Sequence, residues 1–387
     1  MARLAQRLQG IPPTIFTQMS ALAVRTQSVN LGQGFPDEDG PPSVIKRAID
    51  ALDHGQNQYA PGPGIPALRQ AIARHQHRHY GIDLDPDEQV VVTTGCTEGI
   101  AAAMLGLVNP GDEVVVLEPY YDSYVAMIQM AGGVRRPVTL RAPDFRLDPD
   151  ELRAAVTPAT RLILLNSPHN PTGAVLTPEE LQSVADVAVE HDLVVVTDEV
   201  YEHLVYDVEH VPIATLPGMA ERTLALSSAG KSYSFTGWKV GWATGPVELV
   251  GAALAAKQWL TFTSGAPLQP AVAHALDEEP DFPGDLAHDL HERRDLLCGG
   301  LALVGLEVFM PRGTYFVTTS VRDLGWEDGM SFCLALPERA GVVAVPMQVF
   351  FDDPAGPGRH LVRWAFCKTR ENLTEGLARL AGADLRA

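Results

Sequence analysis

The chain has 387 residues, of which 46% are hydrophobic and 20% charged. That balance excludes an intrinsically disordered chain, and the length suffices for two or three domains around a sizeable core. The 29 basic and 48 acidic residues leave a formal net charge of −19, which repels phosphate backbones and anionic lipid, so nucleic acid and membrane are not expected as partners.

The four cysteines, Cys96, Cys298, Cys333 and Cys367, include no CxxC spacing, which excludes a zinc knuckle and a redox dithiol from the reading. No apolar run reaches the ~18–20 residues of a membrane span, and MARLAQRLQGIPPT lacks the apolar centre of a secretory signal. A soluble cytoplasmic protein with no bound metal is expected.

The stretch up to Pro42 reads as irregular and rich in glycine and proline. Helical periodicity then covers Ser43–Leu52 and Ile65–His79. Next come alternating strands and helices: strand Val90–Val92 and helix Glu98–Leu107, strand Val114–Leu117 and helix Ser123–Met130. Strand Arg161–Leu165 with helix Pro178–His191 follows, then strands Leu193–Thr197 and Thr223–Leu226. Unbroken Val, Ile and Leu runs mark strands covered on both faces, hence a parallel sheet between helices. After about Pro280 the pattern changes to a long charged helix, Asp285–Leu303, and the strands Tyr315–Ser320, Val342–Val345 and Leu361–Phe366. Their polar–apolar alternation predicts an α+β layer with one solvated face. The expected division is a large domain over 43–280 and a small domain formed by 281–387 with the segment 1–42.

Ligands of open parallel sheets bind beyond the carboxyl ends of the strands, so the residues that follow each strand carry the functional argument. Thr93–Gly99, TTGCTEG, suits a phosphate cup at a helix N-terminus, or an ordinary turn with Thr97 as its cap. In EPYYDSY, Tyr120 and Tyr121 are placed to stack on a planar ring, or simply to pack. In NSPHNPTG, Asn170 precedes a proline, and its stiffened amide suits a ligand hydroxyl or an Asx turn. Asp198, directly after an apolar strand, is a desolvated carboxylate in need of a partner, with Tyr201 at the same sheet mouth. In SSAGKSYSFTGWKVGW, Lys231 lies in a tight turn that aims its amine inward beside the hydroxyls of Ser227 and Ser228, with Lys239 as a second cation. Arg363 sits inside a strand, where it needs an anion: a ligand carboxylate or an internal ion pair. The HQHRH run places His75 and His79 at i,i+4, a metal-ligand spacing, but on a charged helix it reads as solvated. An amine, an acid, a ring platform and an anion cup together are what pyridoxal phosphate chemistry uses.

These motifs, with LGQGFPDEDGPP, NQYAPGPG and HLVRWAFCK, occur over nearly the whole chain in one order. The sequence resembles the class I/II aminotransferases of fold type I, nearest the kynurenine, glutamine and methionine aminotransferase branch and the N-succinyldiaminopimelate aminotransferases. The resemblance implies an α/β fold: a large domain with a mostly parallel seven-stranded sheet between helices, plus a smaller α+β domain. It implies pyridoxal 5'-phosphate as cofactor, an amino acid and a 2-oxo acid as substrates, and ping-pong transfer. Lys231 would anchor the cofactor and shuttle the proton, Asp198 would pair with the pyridine nitrogen, and Asn170 and Tyr201 would bind the phenolic oxygen. Cys96, Thr97, Ser228 and Lys239 would hold the phosphate, with Tyr59 reaching the phosphate of a partner subunit in an obligate homodimer. Tyr121 would stack on the ring; Arg363, Asn170 and the Gly34 backbone would grip the α-carboxylate.

Two departures stand out, one at the phosphate and one bearing on substrate. Lys239 stands where many members carry arginine. Gly251–Val272 holds no arginine, offering Trp259 and Phe262 instead, which disfavours aspartate and favours neutral, long or aromatic donors. N-succinyldiaminopimelate is the exception, its distal carboxylates reaching a cation such as Arg25 or a partner residue. A carbon–sulfur β-lyase on the same scaffold is the alternative activity, and a non-catalytic regulator domain a remoter one.

Overall fold

The computed structural model describes residues 4–11 and 13–387; Met1–Arg3 and Pro12 of the N-terminal stretch lie outside the described residues. In chain order the elements begin with α1 (Ile15–Thr26), β1 (Val29–Asn30), α2 (Pro42–Asp53), α3 (Pro66–Tyr80), β2 (Val90–Thr94) and α4 (Gly95–Leu107). Then come β3 (Glu113–Glu118), α5 (Asp122–Ala131), β4 (Val134–Thr139), α6 (Pro149–Ala155), β5 (Thr160–Asn166), α7 (Pro178–Glu190), β6 (Val194–Asp198) and β7 (Thr223–Ser228). A single turn, α8 (Ala229–Ser232), leads to β8 (Val240–Thr244), α9 (Val247–Leu260), α10 (Gln269–Glu278) and α11 (Phe282–Leu303). The remainder is β9 (Glu307–Phe309), β10 (Phe316–Ser320), α12 (Gly329–Ala340), β11 (Val342–Val343), β12 (Val345–Pro346), β13 (Leu361–Ala365) and α13 (Arg370–Ala381).

Seven strands form one sheet in the order β2-β8-β7-β6-β5-β3-β4. Its pairs from β4 through β7 are parallel, and β8 runs antiparallel to both neighbours. The carboxyl ends of β2, β3, β5, β6 and β7 therefore lie along one edge, and the residues entering β8 reach the same edge. The strands are Val- and Leu-rich because helices cover both faces; Val91, Val114, Val115, Leu162, Ile163, Val195, Val196 and Leu224 are fully buried. Each contributes roughly 1.5–3 kcal/mol by leaving water. Gly106 lets α4 and α9 cross closely, since a Cβ there would stand 2.4 Å from the Ala252 carbonyl oxygen. α7 starts on a capping box: the Thr177 hydroxyl accepts from the Glu180 N–H, the Glu180 carboxylate from the Thr177 N–H, with Pro178 opening the helix.

A second sheet has four strands in the order β12-β13-β10-β9, all antiparallel, and β1 pairs with β11. Two expectations are corrected here. The segment before Pro42 is not irregular: α1 buries Ile15, Met19, Leu22 and Ala23, and β1 joins the C-terminal part of the chain. The central strands of the second sheet do not keep one face in water: every residue of β10 and β13 is buried, including Arg363 and Thr318, and only the edge strand β9 is partly exposed. Polar residues alternate there because they answer polar partners inside the fold. Among the described residues, no helix is long and apolar enough to cross a membrane.

Candidate active site

One cavity of about 200 Å³ opens at the carboxyl edge of the seven-stranded sheet, where α1 and the second sheet close over it. Lys231 enters from α8. The Ser227 and Ser228 strand end and the one-turn helix hold its backbone, and its Nζ donates to the Tyr315 hydroxyl at 2.7 Å. That hydroxyl in turn donates to the Gly34 carbonyl at 2.7 Å. Burial lowers the Lys231 amine from its ordinary value to about 8, against the smaller upward pull of Cys367 and Asp198. Ser228 lines the cavity beside it. Ser227 does not: alternation along β7 turns its hydroxyl to the opposite side, where it donates to Glu202.

Asp198 ends β6 and is buried. Burial raises its carboxyl, opposed by the Tyr124 hydroxyl, which donates to Oδ2 at 2.7 Å, and by the Val200 N–H. A carboxylate in this position is ready to ionise fully against a cationic ring nitrogen. The Asn166 amide donates to the Asp198 carbonyl at 2.8 Å and accepts from the Asn170 N–H at 2.8 Å, which fixes the ends of β5 and β6 to each other. Tyr121 caps α5 and lines the cavity with its ring; burial pushes its hydroxyl up to about 12. Tyr120, weighed beside it, points away and bonds Asp352. Tyr201 is buried edge-on to Tyr315, ring centroids 5.2 Å apart, and burial keeps its hydroxyl protonated.

At the other end of the cavity, α4 begins at Gly95 rather than Glu98, so Gly95, Cys96 and Thr97 present the helix N-terminus. Thr97 is thus inside the first turn and is not the cap. Gly95 is left-handed, φ +70°, and a Cβ on it would stand 3.0 Å from the Lys239 Nζ. Lys239 Nζ donates to the Thr97 hydroxyl at 3.3 Å. Helix N–H groups, two hydroxyls and an ammonium around a space kept open by glycine suit a phosphate. The Cys96 thiol stands beside Asp198; burial and that carboxylate raise it, leaving the backbone N–H as its means of meeting an anion. Amine, buried acid, ring platform and anion cup fit pyridoxal phosphate in one cavity.

Arg363 lies across the mouth from Lys231, fully buried. It donates to Asn170 Oδ1 and to the Gly32 carbonyl, each at 3.0 Å, and packs 3.8 Å from the Phe316 ring. Its Nε is buried with no partner, a donor aimed at no protein group. Burial lowers the guanidinium to about 10, still fully charged near neutrality. Gly34 lines the same wall.

Several expected residues lie elsewhere. Tyr59 is exposed and packs edge-on against Phe262, with ring centroids 5.4 Å apart. Trp259 and Phe262 are also exposed, and nothing from Gly251–Val272 lines the cavity of its own chain, which corrects the placement of a side-chain pocket there. Arg25 is exposed in the last turn of α1. The sequence reading missed Phe16, Gln33, Tyr124, Tyr315 and Phe316. Tyr124 is the third tyrosine of EPYYDSY, one helical turn past Tyr121, and that spacing is the signal for it. Phe16, Gln33 and Tyr315 carry none: Phe16 on α1 and Gln33 after β1 reach the cavity, and Tyr315 just before β10 reaches the Lys231 amine, only through packing between distant segments.

The family model for aminotransferase class I and II matches residues 26–380. A probable N-succinyldiaminopimelate aminotransferase of Mycobacterium tuberculosis is 53% identical over 386 residues, covering 97% of each chain. The methionine aminotransferase of Escherichia coli is 39% identical, again over 97% of each chain. The solved N-succinyldiaminopimelate aminotransferase from Mycobacterium tuberculosis superposes with a TM-score of 0.96, covering 98% of this chain and all of that one, at 53% identity.

Proposed function

The chain belongs to the class I and II aminotransferases, and from that premise we propose that it takes the amino group of a long α-amino acid, of the N-succinyldiaminopimelate type, and passes it to a 2-oxo acid. Transamination and dependence on pyridoxal phosphate come with the family; the donor, the residue roles and the assembly are our reading. The carrying observation is that Arg363 is the one guanidinium lining the cavity among the described residues. It suits the α-carboxylate common to all donors and leaves no arginine for a short acidic side chain. An unpaired carboxylate in a dry pocket costs several kcal/mol, a thousandfold or more in kcat/KM at ~1.4 kcal/mol per decade. A long donor escapes this by carrying its distal carboxylates beyond the mouth. The relative at 53% identity supports the succinylated donor, and the methionine aminotransferase at 39% supports neutral long side chains as the second choice.

When bound, the cofactor supplies the carbonyl that receives the amino group and the electron sink that acidifies the substrate Cα–H. Lys231 Nζ would anchor it and, once released, would take the proton from the substrate Cα and deliver it to the carbon that carried the carbonyl. An amine lowered to about 8 is matched to that work near neutrality. Tyr315 holds Nζ in place, and the Tyr124 hydroxyl holds Asp198 toward the ring nitrogen. Gly95, Thr97, Ser228 and Lys239 hold the phosphate; Lys239 contributes a point charge where an arginine would contribute a fork. Tyr121 covers the ring, Tyr201 and Asn170 bind its phenolic oxygen, and Arg363 with Asn170 and Gly34 orients the carboxylate.

The same reading makes the enzyme a homodimer. Tyr59, Trp259 and Phe262 are 83%, 82% and 54% exposed, an aromatic surface a partner subunit would cover. Tyr59 from that surface would complete the partner's phosphate site. Mixing inactive Lys231→Ala with inactive Tyr59→Ala chains then restores activity through hybrids carrying one intact site. The donor is tested by kcat/KM for N-succinyldiaminopimelate, methionine, glutamine, kynurenine and aspartate with a fixed 2-oxo acid. The succinylated donor should lead and aspartate trail; aspartate leading contradicts the reading. Pyruvate and ammonia released without an acceptor would favour β-elimination.

A further inference from the structure

The HQHRH run of α3 is solvated only in part: His77, Arg78 and His79 are exposed, but His75 and Gln76 are buried. His75 is 2% exposed, and its Nε2 lies 2.8 Å from Nε2 of His203. His79, one turn further along α3, closes the group, and the ligand nitrogens of the three imidazoles all lie within 4.8 Å of one another. His203 belongs to the turn after β6, two residues beyond Tyr201 and five beyond Asp198. We propose that His75, His79 and His203 form a binding site for a zinc-class divalent cation, which ties α3 to the segment carrying Asp198 and Tyr201.

The donor chemistry selects the ligand. Three imidazoles suit zinc, nickel, copper or cobalt, and not magnesium or calcium, which take oxygen. The i,i+4 pair on α3 shares one helix face, the spacing at which helical histidines ligate. A tetrahedral site with bonds of 2.0–2.1 Å sets its nitrogens about 3.3 Å apart. The closest pair has to open and the widest to close; His79, being exposed, has the freedom to do the larger share.

The surroundings are those of a cation site. Glu202 is buried beside the histidines and accepts from the Tyr80 hydroxyl at 2.8 Å and from Ser227. Its carboxylate offsets a dication. The Gln76 side-chain amide lies 3.5 Å from His75 Nδ1; a half-turn of that amide presents its oxygen to Nδ1–H and frees Nε2 for the metal. Three protein ligands leave a fourth position for water on the exposed His79 side, which is also the way in.

The test uses the holoenzyme after dialysis against a chelator, titrated with zinc and, separately, with cobalt(II) and magnesium, following metal content, melting temperature and the visible cobalt bands. One zinc per chain, a higher melting temperature, tetrahedral-type cobalt bands and indifference to magnesium are expected. His79→Ala should weaken zinc by at least about 10–100-fold and abolish the melting shift. His77→Ala should do neither, because His77 is exposed on the same helix and pairs with Asp83 instead. No stoichiometric zinc uptake, uptake unaltered in His79→Ala, or equal loss in His77→Ala would overturn the site and leave the cluster a hydrogen-bonded histidine stack.

Discussion

The two walls of the cavity differ in origin and in kind. The wall made by the seven-stranded sheet presents Lys231, Asp198, Tyr121 and the Gly95–Thr97 turn from successive strand ends. The wall made by α1 and the second sheet presents Phe16, Gly34, Phe316 and Arg363 from segments hundreds of residues apart, with Tyr315 behind it bonded to the Lys231 amine. In the proposed roles, groups that bind and use the cofactor come from the first; the group aimed at substrate carboxylate comes from the second. A rigid parallel sheet fixes reacting atoms well, whereas a separate layer packed across its edge can change with the substrate while the chemistry stays. Tyr315 crosses the divide, since it belongs to the second layer and holds the lysine of the first.

The division is broken or sharpened by substitution. Lys231→Ala should fold, keep its substrate wall and lose kcat by at least about 10⁴-fold, because proton transfer and covalent anchoring go together. Arg363→Gln leaves Lys231 untouched, and kcat/KM should fall roughly 10²–10³-fold, chiefly through KM, with cofactor content unchanged. If Arg363→Gln loses cofactor instead, the two walls do not divide the work. Tyr315→Phe removes one hydrogen bond to a buried amine, worth ~1.5 kcal/mol, so a loss of about tenfold in kcat with KM nearly constant is expected. Lys239→Arg is the smallest change. A guanidinium fork should tighten phosphate binding by a few-fold, read as slower cofactor loss on dilution, with kcat unaltered.

The two walls also differed in how far the sequence revealed them. The strands β2, β3, β5, β6 and β7 announce themselves as apolar runs, and the residues after each were read in turn, which found Thr97, Tyr121, Asn170, Asp198 and Lys231. β4 escaped because an edge strand alternates: Arg135 and Arg136 are partly in water, and Pro137 sits in the ladder. β8 escaped because its residues, VGWAT, were read as part of a motif rather than as a strand. The substrate wall was legible only at Arg363 and, through the family resemblance, at Gly34. Phe16, Gln33 and Tyr315 gain their meaning from packing between layers, which no local pattern encodes. The same holds for His75, whose burial depends on α3 lying against the turn after β6.

The pH behaviour of the lysine follows from its burial. Held down to about 8 from an ordinary 10.5, Lys231 is an ammonium below that pH and a free base above it. Capture of added pyridoxal phosphate by the cofactor-free protein should therefore quicken as pH rises through about 8 and then level off. A midpoint near 10.5 would place the amine in water.

The central claim is that Lys231 holds the cofactor. The chain has five lysines, Lys46, Lys231, Lys239, Lys257 and Lys368, so the site can be read without ambiguity. Borohydride reduction of the holoenzyme followed by peptide mapping should find the pyridoxyl group on Lys231 alone. Label on Lys239, which lines the same cavity, or on any of the other three, would contradict the assignment.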